Sequence, residues 1–248
     1  MELYYIRHGQ SVNNAGWGDP NYRENSDPPL TEIGRQQAQC LADFLSKNQP
    51  LQEYTGWNSH NRHGFGLTRL YTSLMERAAH TAAPTAQALE LPFAVWEEIH
   101  ETGGIYSRED PENPYGLPGK PRAYFEQHFP TLSLPANLDG SGWWMSRPHE
   151  SEEESQVRAE KVLADLLARH GDREGQPVER VAIVSHGGFF MHLMCAILKL
   201  PWRQAALDLR SWFLLNNCSI SRFDFIKGEV IISYLNRTDH LPDHLITG

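Results

Sequence analysis

Short apolar runs alternate with amphipathic stretches along most of the chain. Residues 3–6 form an apolar, aromatic and β-branched run that stops at Arg7-His8-Gly9, followed by a Gly/Asn/Asp/Pro-rich loop to Pro29. Such a run, bounded by polar turn residues, predicts a strand that delivers its last residues to a loop. Thr31 is the expected N-cap of a helix reaching about Ser46, with Ala38, Leu41, Ala42 and Leu45 at helical spacing. A second strand is expected over 67–72, with Ser73 turning into a helix that carries Arg77, Ala78 and Ala82. A short strand follows at 93–96. Residues 150–170 give the clearest amphipathic helix, with Val157, Val162, Leu163, Leu166 and Leu167 assigned to its apolar side and an acidic start that suits a helix N-terminus. The apolar run 181–184 ends at Ser185-His186-Gly187-Gly188, and a helix is expected from Phe189 to Leu198. Two closing strands, 217–225 and 229–235, meet at Lys227-Gly228.

Two segments break this rhythm. Residues 48–66 lack a period and read as a surface insertion. Residues 97–142 are rich in Pro, Gly and aromatic residues, with a helical stretch expected around 122–129. An irregular segment of that length suggests a lid or binding element, with Trp143 and Trp144 as lid packing or as the lining of a substrate pocket. Strands alternating with helices predict an α/β fold: a three-layer sandwich with a mostly parallel central sheet, an antiparallel edge strand, and helices on both faces. The expected organisation is one domain over 1–248 with insertions at about 48–66 and 104–142.

Composition changes the picture in one respect. The 248 residues carry 31 acidic and 22 basic side chains, a formal net charge of -9. That field disfavours nucleic acid and anionic membrane partners, and a phosphorylated substrate would need basic side chains converging in one pocket. Cys40, Cys195 and Cys218 are expected to be buried free thiols. The absence of a signal-like start or an apolar run of membrane-spanning length points to a cytoplasmic protein. Twelve histidines raise the question of metal, but His60/His63 and His240/His244 lack the companions that would complete a site, so neither metal nor cofactor is expected. Oligomeric state is not legible; Trp202 and the apolar stretch from Trp212 to Leu215 suit either an interface or the core.

In an open α/β sheet, ligands bind beyond the carboxyl ends of the strands. Three strand ends place Arg7-His8, Ser73 with Arg77, and Ser185-His186 at that edge. Two histidines and two arginines are what phosphoryl transfer to an imidazole nucleophile requires, because guanidinium groups hold the equatorial oxygens while the ring attacks phosphorus.

Arg7-His8-Gly9-Gln10-Ser11 resembles the RHG signature of the histidine phosphatase superfamily, in its phosphoglycerate-mutase-like branch. Four more segments follow in that family's order: Leu30-Thr31-Glu32-Ile33-Gly34 with Gln37-Ala38; Ser73 through Arg77-Ala78 and Thr81-Ala82; Glu150-Ser151 with Arg158; and Ser185-His186-Gly187-Gly188. The resemblance implies a metal-independent phosphatase of small phosphomonoesters working through a phosphohistidine on His8. It implies that Arg7 and Arg77 bind phosphoryl oxygens, that His186 stabilises their charge, and that Asn14, Gln10, Ser11 and Gly187 complete the phosphate site. The proton donor is Glu101 or Glu98, with Glu101 favoured by the apolar-x-Glu segment and following glycines. A mutase usually shows Glu in place of Gln10 and a nearby Trp-Asn; this chain reads Gln10-Ser11-Val12-Asn13-Asn14, which favours the phosphatase. A mutase-type isomerase and a non-catalytic phosphate-binding module are the alternatives.

Overall fold

The apolar run that opens the chain becomes the strand on which both layers of helices close. The computed structural model describes residues 1–47, 57–110, 112–202 and 213–248. Strand β1 (Glu2–Arg7) lies between β5 (Arg180–Ser185) and β6 (Ile220–Ile226), in a sheet ordered β4-β3-β2-β5-β1-β6-β7. The remaining strands are β2 (Arg69–Thr72), β3 (Phe93–Val95), β4 (Leu132–Ser133) and β7 (Glu229–Arg237). β4, β3, β2, β5 and β1 pair in parallel, β6 runs antiparallel to β1, and β7 reverses again at the edge.

Leu3, Tyr4, Tyr5 and Ile6 are all fully buried, as expected of a strand covered on both faces. Tyr4 and Ile6 pack with residues of α2 (Glu32–Lys47) and α3 (Glu76–Ala88). Leu3 and Tyr5 pack with α5 (Glu152–His170) and α6 (Gly187–Leu198). Period-two alternation along one strand thus separates the two cores of a three-layer sandwich. Two shorter helices complete the set, α1 (Val12–Ala15) and α4 (Arg122–His128).

The helix starts follow their chemistry. Thr31 Oγ1 accepts the Gly34 N–H at 3.0 Å at the head of α2. Ser151 and Glu154 form a reciprocal capping box on α5, at 3.2 and 2.8 Å. The inward stripe of α5 differs from the expected one: Ser155, Ala159, Val162, Leu166 and His170 are buried, whereas Val157 is 66% and Leu167 40% exposed. The buried residues recur at three- and four-residue spacing, and Val157 lies out of phase with them.

Other expectations also shift. Residues 48–56 of the first insertion lie outside the described residues; the rest of it exposes Trp57, His60 and Arg62 but also anchors to the core. Phe65 is buried, and Asn61 bridges the hydroxyls of Tyr4 and Tyr234, both at 2.7 Å. In the second insertion, Trp143 and Trp144 are buried and pack against Gly119 and Gly104. Cys195 and Cys218 are buried, while Cys40 is half-buried. Trp202 stacks on His192 at 3.8 Å. Trp212 falls outside the described residues; beside it Leu215 is buried and Leu214 exposed. Among the described residues no helix is long and apolar enough to cross a membrane.

Candidate active site

Register brings three strand ends together. Arg7 pairs with Ser185 and Thr72 with Val184, so His8, Ser73 and His186 leave the sheet side by side. The His8 N–H donates to Ser185 O at 2.9 Å, extending the ladder by one bond. The ring is 2% exposed. Its Nδ1 lies 2.7 Å from Gly9 O; a carbonyl can only accept, which assigns the ring proton to Nδ1 and leaves the Nε2 lone pair free. Arg77 Nε donates to that Nε2 at 3.1 Å. Burial, then the charges of Arg77 and Arg7, hold the His8 pKa well below the usual imidazole range, against a smaller opposite pull from Gly9 O. The imidazole is therefore neutral at pH 7.

The loop holding this ring lies directly on α2. A Cβ on Gly34 would stand 2.2 Å from Gln10 O, and one on Gly9 would stand 2.6 Å from Gly34 O. Gln37 Oε1 then accepts the Gln10 N–H at 2.7 Å, and Thr81 Oγ1 accepts the Gly9 N–H at 3.0 Å. The glycine and glutamine of the α2 start are explained by this close crossing. The Gln10 side chain is bound to Thr31 Oγ1 at 2.7 Å and does not line the cavity. Through that bond it braces the loop.

A cavity of ≈ 190 Å³ opens above His8, and its walls include Arg7, Ser11, Asn14, Arg77 and Glu101. Arg7 Nε and Arg77 NH1 are buried and have no hydrogen-bond partner among the described residues. Burial pulls down the pKa of both guanidinium groups while the Glu101 charge opposes it, and arginine stays protonated. Orphaned buried donors on two cations flanking one neutral imidazole make a site for a tetrahedral anion. Ser11 caps α1, and Asn14 Oδ1 accepts from Asn217 Nδ2 at 3.1 Å. Asn217 also donates to His8 O at 3.1 Å.

His186 stands behind His8, with ring centroids 5.1 Å apart. It is fully buried and lies outside the cavity wall; Nε2 is 2.7 Å from Ser73 Oγ, and Nδ1 has no partner among the described residues. Burial, then Arg77 and His8, keep its pKa well below normal. Gly187 is likewise off the wall, with room for a Cβ 3.5 Å from Arg7 Nε. Glu101 Oε1 accepts from Phe189 N at 2.9 Å and Thr102 N at 3.0 Å. A Cβ on Gly188 would lie 2.5 Å from that oxygen, so the second glycine of the motif makes room for the carboxylate. Glu98 instead faces Lys161 at 3.9 Å and is off the wall. Arg158 ties the segment down, donating to Glu98 O at 2.6 Å and His100 O at 3.1 Å while pairing with half-buried Glu150.

Three residues at the site escaped sequence reasoning. Asn217 carried a weak signal, as a polar pair with Asn216 at the start of a buried strand. Arg108 and Glu24, which pair at the cavity mouth, carried none, because irregular segments brought them together.

The profile of the histidine phosphatase superfamily (branch 1) matches residues 3–238. A glucosyl-3-phosphoglycerate phosphatase of Mycobacterium tuberculosis is 27% identical over 202 residues, covering 80% of this chain and 76% of its own length. A probable phosphoglycerate mutase of Cronobacter sakazakii is 25% identical over 239 residues, covering 94% and 89%. Among solved structures, phosphoserine phosphatase from Entamoeba histolytica with 3-phosphoglyceric acid superposes with a TM-score of 0.57 at 17% identity, over 97% of this chain and 99% of that one. A mycobacterial glucosyl-3-phosphoglycerate phosphatase gives 0.57 at 23% identity, over 96% and 99%. At these identities the two structures establish the shared fold.

Proposed function

The chain belongs to the histidine phosphatase superfamily, branch 1, and from that premise we propose that it hydrolyses small phosphomonoesters through a phosphohistidine on His8. The observation carrying this reading is the His8 ring: buried, neutral, its Nδ1 held by Gly9 O and its Nε2 facing a cavity flanked by two arginines, of which Arg7 Nε and Arg77 NH1 are buried with no hydrogen-bond partner among the described residues. The phosphoryl group docks on Arg7 and Arg77, with Asn14 and Ser11 at its side, and takes the Arg77 guanidinium from His8. Nε2 attacks phosphorus as the bond to the ester oxygen breaks. His8 becomes N-phosphorylated, and the cationic ring keeps its Nδ1 proton against Gly9 O. Glu101, protonated, gives its proton to the leaving oxygen, and the alcohol departs. The Glu101 carboxylate then takes a proton from water, whose oxygen attacks phosphorus, releasing inorganic phosphate and restoring His8 and protonated Glu101. Buried arginines supply the charge stabilisation, and His186, behind His8, adds to it on protonation or through its free nitrogen. Relatives named phosphatases support hydrolysis, and three free cysteines support a reducing, cytoplasmic setting.

The likeness to a probable phosphoglycerate mutase over most of the chain favours a second reading, in which the phosphoryl group returns to another hydroxyl of the substrate. One experiment separates the two: phosphate release from a panel of phosphomonoesters in excess chelator, for wild type and His8→Ala, with phosphoglycerate products checked for isomerisation. Chelator-resistant release that vanishes in His8→Ala is expected. Isomerised phosphoglycerate without net release would establish the mutase, and release by His8→Ala at the wild-type rate would refute both readings.

A further inference from the structure

Outward of the phosphoryl cavity lies a larger groove of ≈ 850 Å³, and the two share Glu24, Asn25, Ser26 and Arg108. Its back wall rests on the segment that follows Glu101: a Cβ on Gly103 would meet Tyr106 Cε1 at 2.7 Å and His149 Nε2 at 3.0 Å. An ester oxygen protonated by Glu101 therefore has this groove as the path for its alcohol. The volume exceeds what a three-carbon alcohol fills and matches a larger ligand.

The chemistry of the walls narrows the class. At the threshold Arg108 stacks on Tyr106, 4.7 Å from the ring centroid, and pairs with Glu24. The walls carry Arg23 and Arg108 beside Glu24 and Glu109. Cations and carboxylates are thus equal in number, and in a chain of net charge -9 the groove offers a second anion no net attraction. An ion pair does, however, present N–H donors and carboxylate acceptors side by side, which adjacent hydroxyl groups can use together. Tyr115 lines the same groove and is 55% exposed, giving an aromatic face to the C–H face of a saturated ring.

We propose that this outer groove is a leaving-group subsite for an uncharged, hydroxyl-rich ring of glycosyl size, read by the Arg108–Glu24 pair and Tyr115. The inference rests on the hydrolase reading above.

Three esters with the same primary phosphate test it: glycerol 3-phosphate, its 2-O-glucosyl derivative, and 3-phosphoglycerate. Wild type is expected to show kcat/KM at least about tenfold higher for the glucosyl ester than for glycerol 3-phosphate, mainly through KM. In Tyr115→Ala and Glu24→Gln that ratio should fall towards one. A gain from the carboxylate of 3-phosphoglycerate instead, lost in Arg108→Ala, would overturn the proposal by making Arg108 an anion site. Equal kcat/KM for all three esters would also overturn it. Titration calorimetry with glucosylglycerol, glycerol as the control, keeps the two readings apart. Binding that Tyr115→Ala abolishes, with no ester turned over, would uphold the groove and remove the hydrolase. Turnover with neither binding nor a glucosyl gain would do the reverse.

Discussion

His8 owes its reactivity to burial and to three neighbours that act on opposite ring nitrogens. Gly9 O fixes the proton on Nδ1, and Arg77 and Arg7 make a second proton on Nε2 costly. Glu101 is positioned by a different device, two backbone N–H groups on one carboxylate oxygen, which leaves the other oxygen for proton transfer. Glu101→Gln should therefore slow alkyl phosphates by about 10²–10⁴. Nitrophenyl phosphate, whose leaving group needs no proton, should lose much less. Equal losses in steady-state kcat for both substrates would move the acid role elsewhere. At this scale much of the site was legible from strand ends and motif order: Arg7, His8, Ser11, Asn14, Arg77 and Glu101 share one cavity, whereas His186 and Gly187, directly after β5, lie off its wall. The sequence was not legible for Gln10, because the direction of that side chain is set by a hydrogen bond to Thr31, 21 positions away. Arg108 and Glu24 were hidden for the same reason, their pairing being tertiary.

At the scale of elements, the crossing of the His8 loop over α2 is the critical contact. Gly34→Ala places a methyl group 2.2 Å from a backbone oxygen, where no flexible side chain can yield. A destabilisation of about 1–3 kcal/mol is expected from overpacking, read as a lower midpoint in urea. Activity should fall more than stability accounts for, since Gln10 moves with Gly9 and His8. A variant with wild-type kcat would show that the loop tolerates displacement. Most helix and strand positions followed from periodicity and capping, and the mostly parallel sheet from alternation; α1 and β4, inside segments with no period, did not. The face of α5 did not follow: Val157 was placed inward by its hydrophobicity, but the buried stripe runs through Ser155, Ala159, Val162 and Leu166, with which it is out of phase. In the second insertion, buried Trp143 and Trp144 order a chain with no period to read.

Over the whole molecule, a net charge of -9 surrounds a site whose walls carry buried cations. Phosphate binding thus depends on local geometry, and added salt should weaken it little. The buried neutral histidines also tie stability to pH. His8 and His186 are held well below, and His100 at about 3, against an unfolded value near 6.5. Below pH 6.5 the unfolded chain gains protons that the folded one excludes, so stability present above that pH is lost as pH falls. Asp27, raised to about 6 by burial, binds its proton preferentially in the folded state and offsets one of these three between about pH 4 and 6. A net loss of stability is expected as pH falls from about 6.5 towards 4.5, measurable by urea unfolding across that range. A flat profile would mean that the histidines protonate without unfolding. The phosphohistidine itself is open to the most direct measurement. The protein is mixed with excess phosphomonoester, quenched in alkali within the first turnovers, and digested for mass spectrometry. An acid-labile phosphate on the peptide containing His8, absent from His8→Ala, is the predicted result; rapid turnover with His8 unmodified at every time point would contradict it.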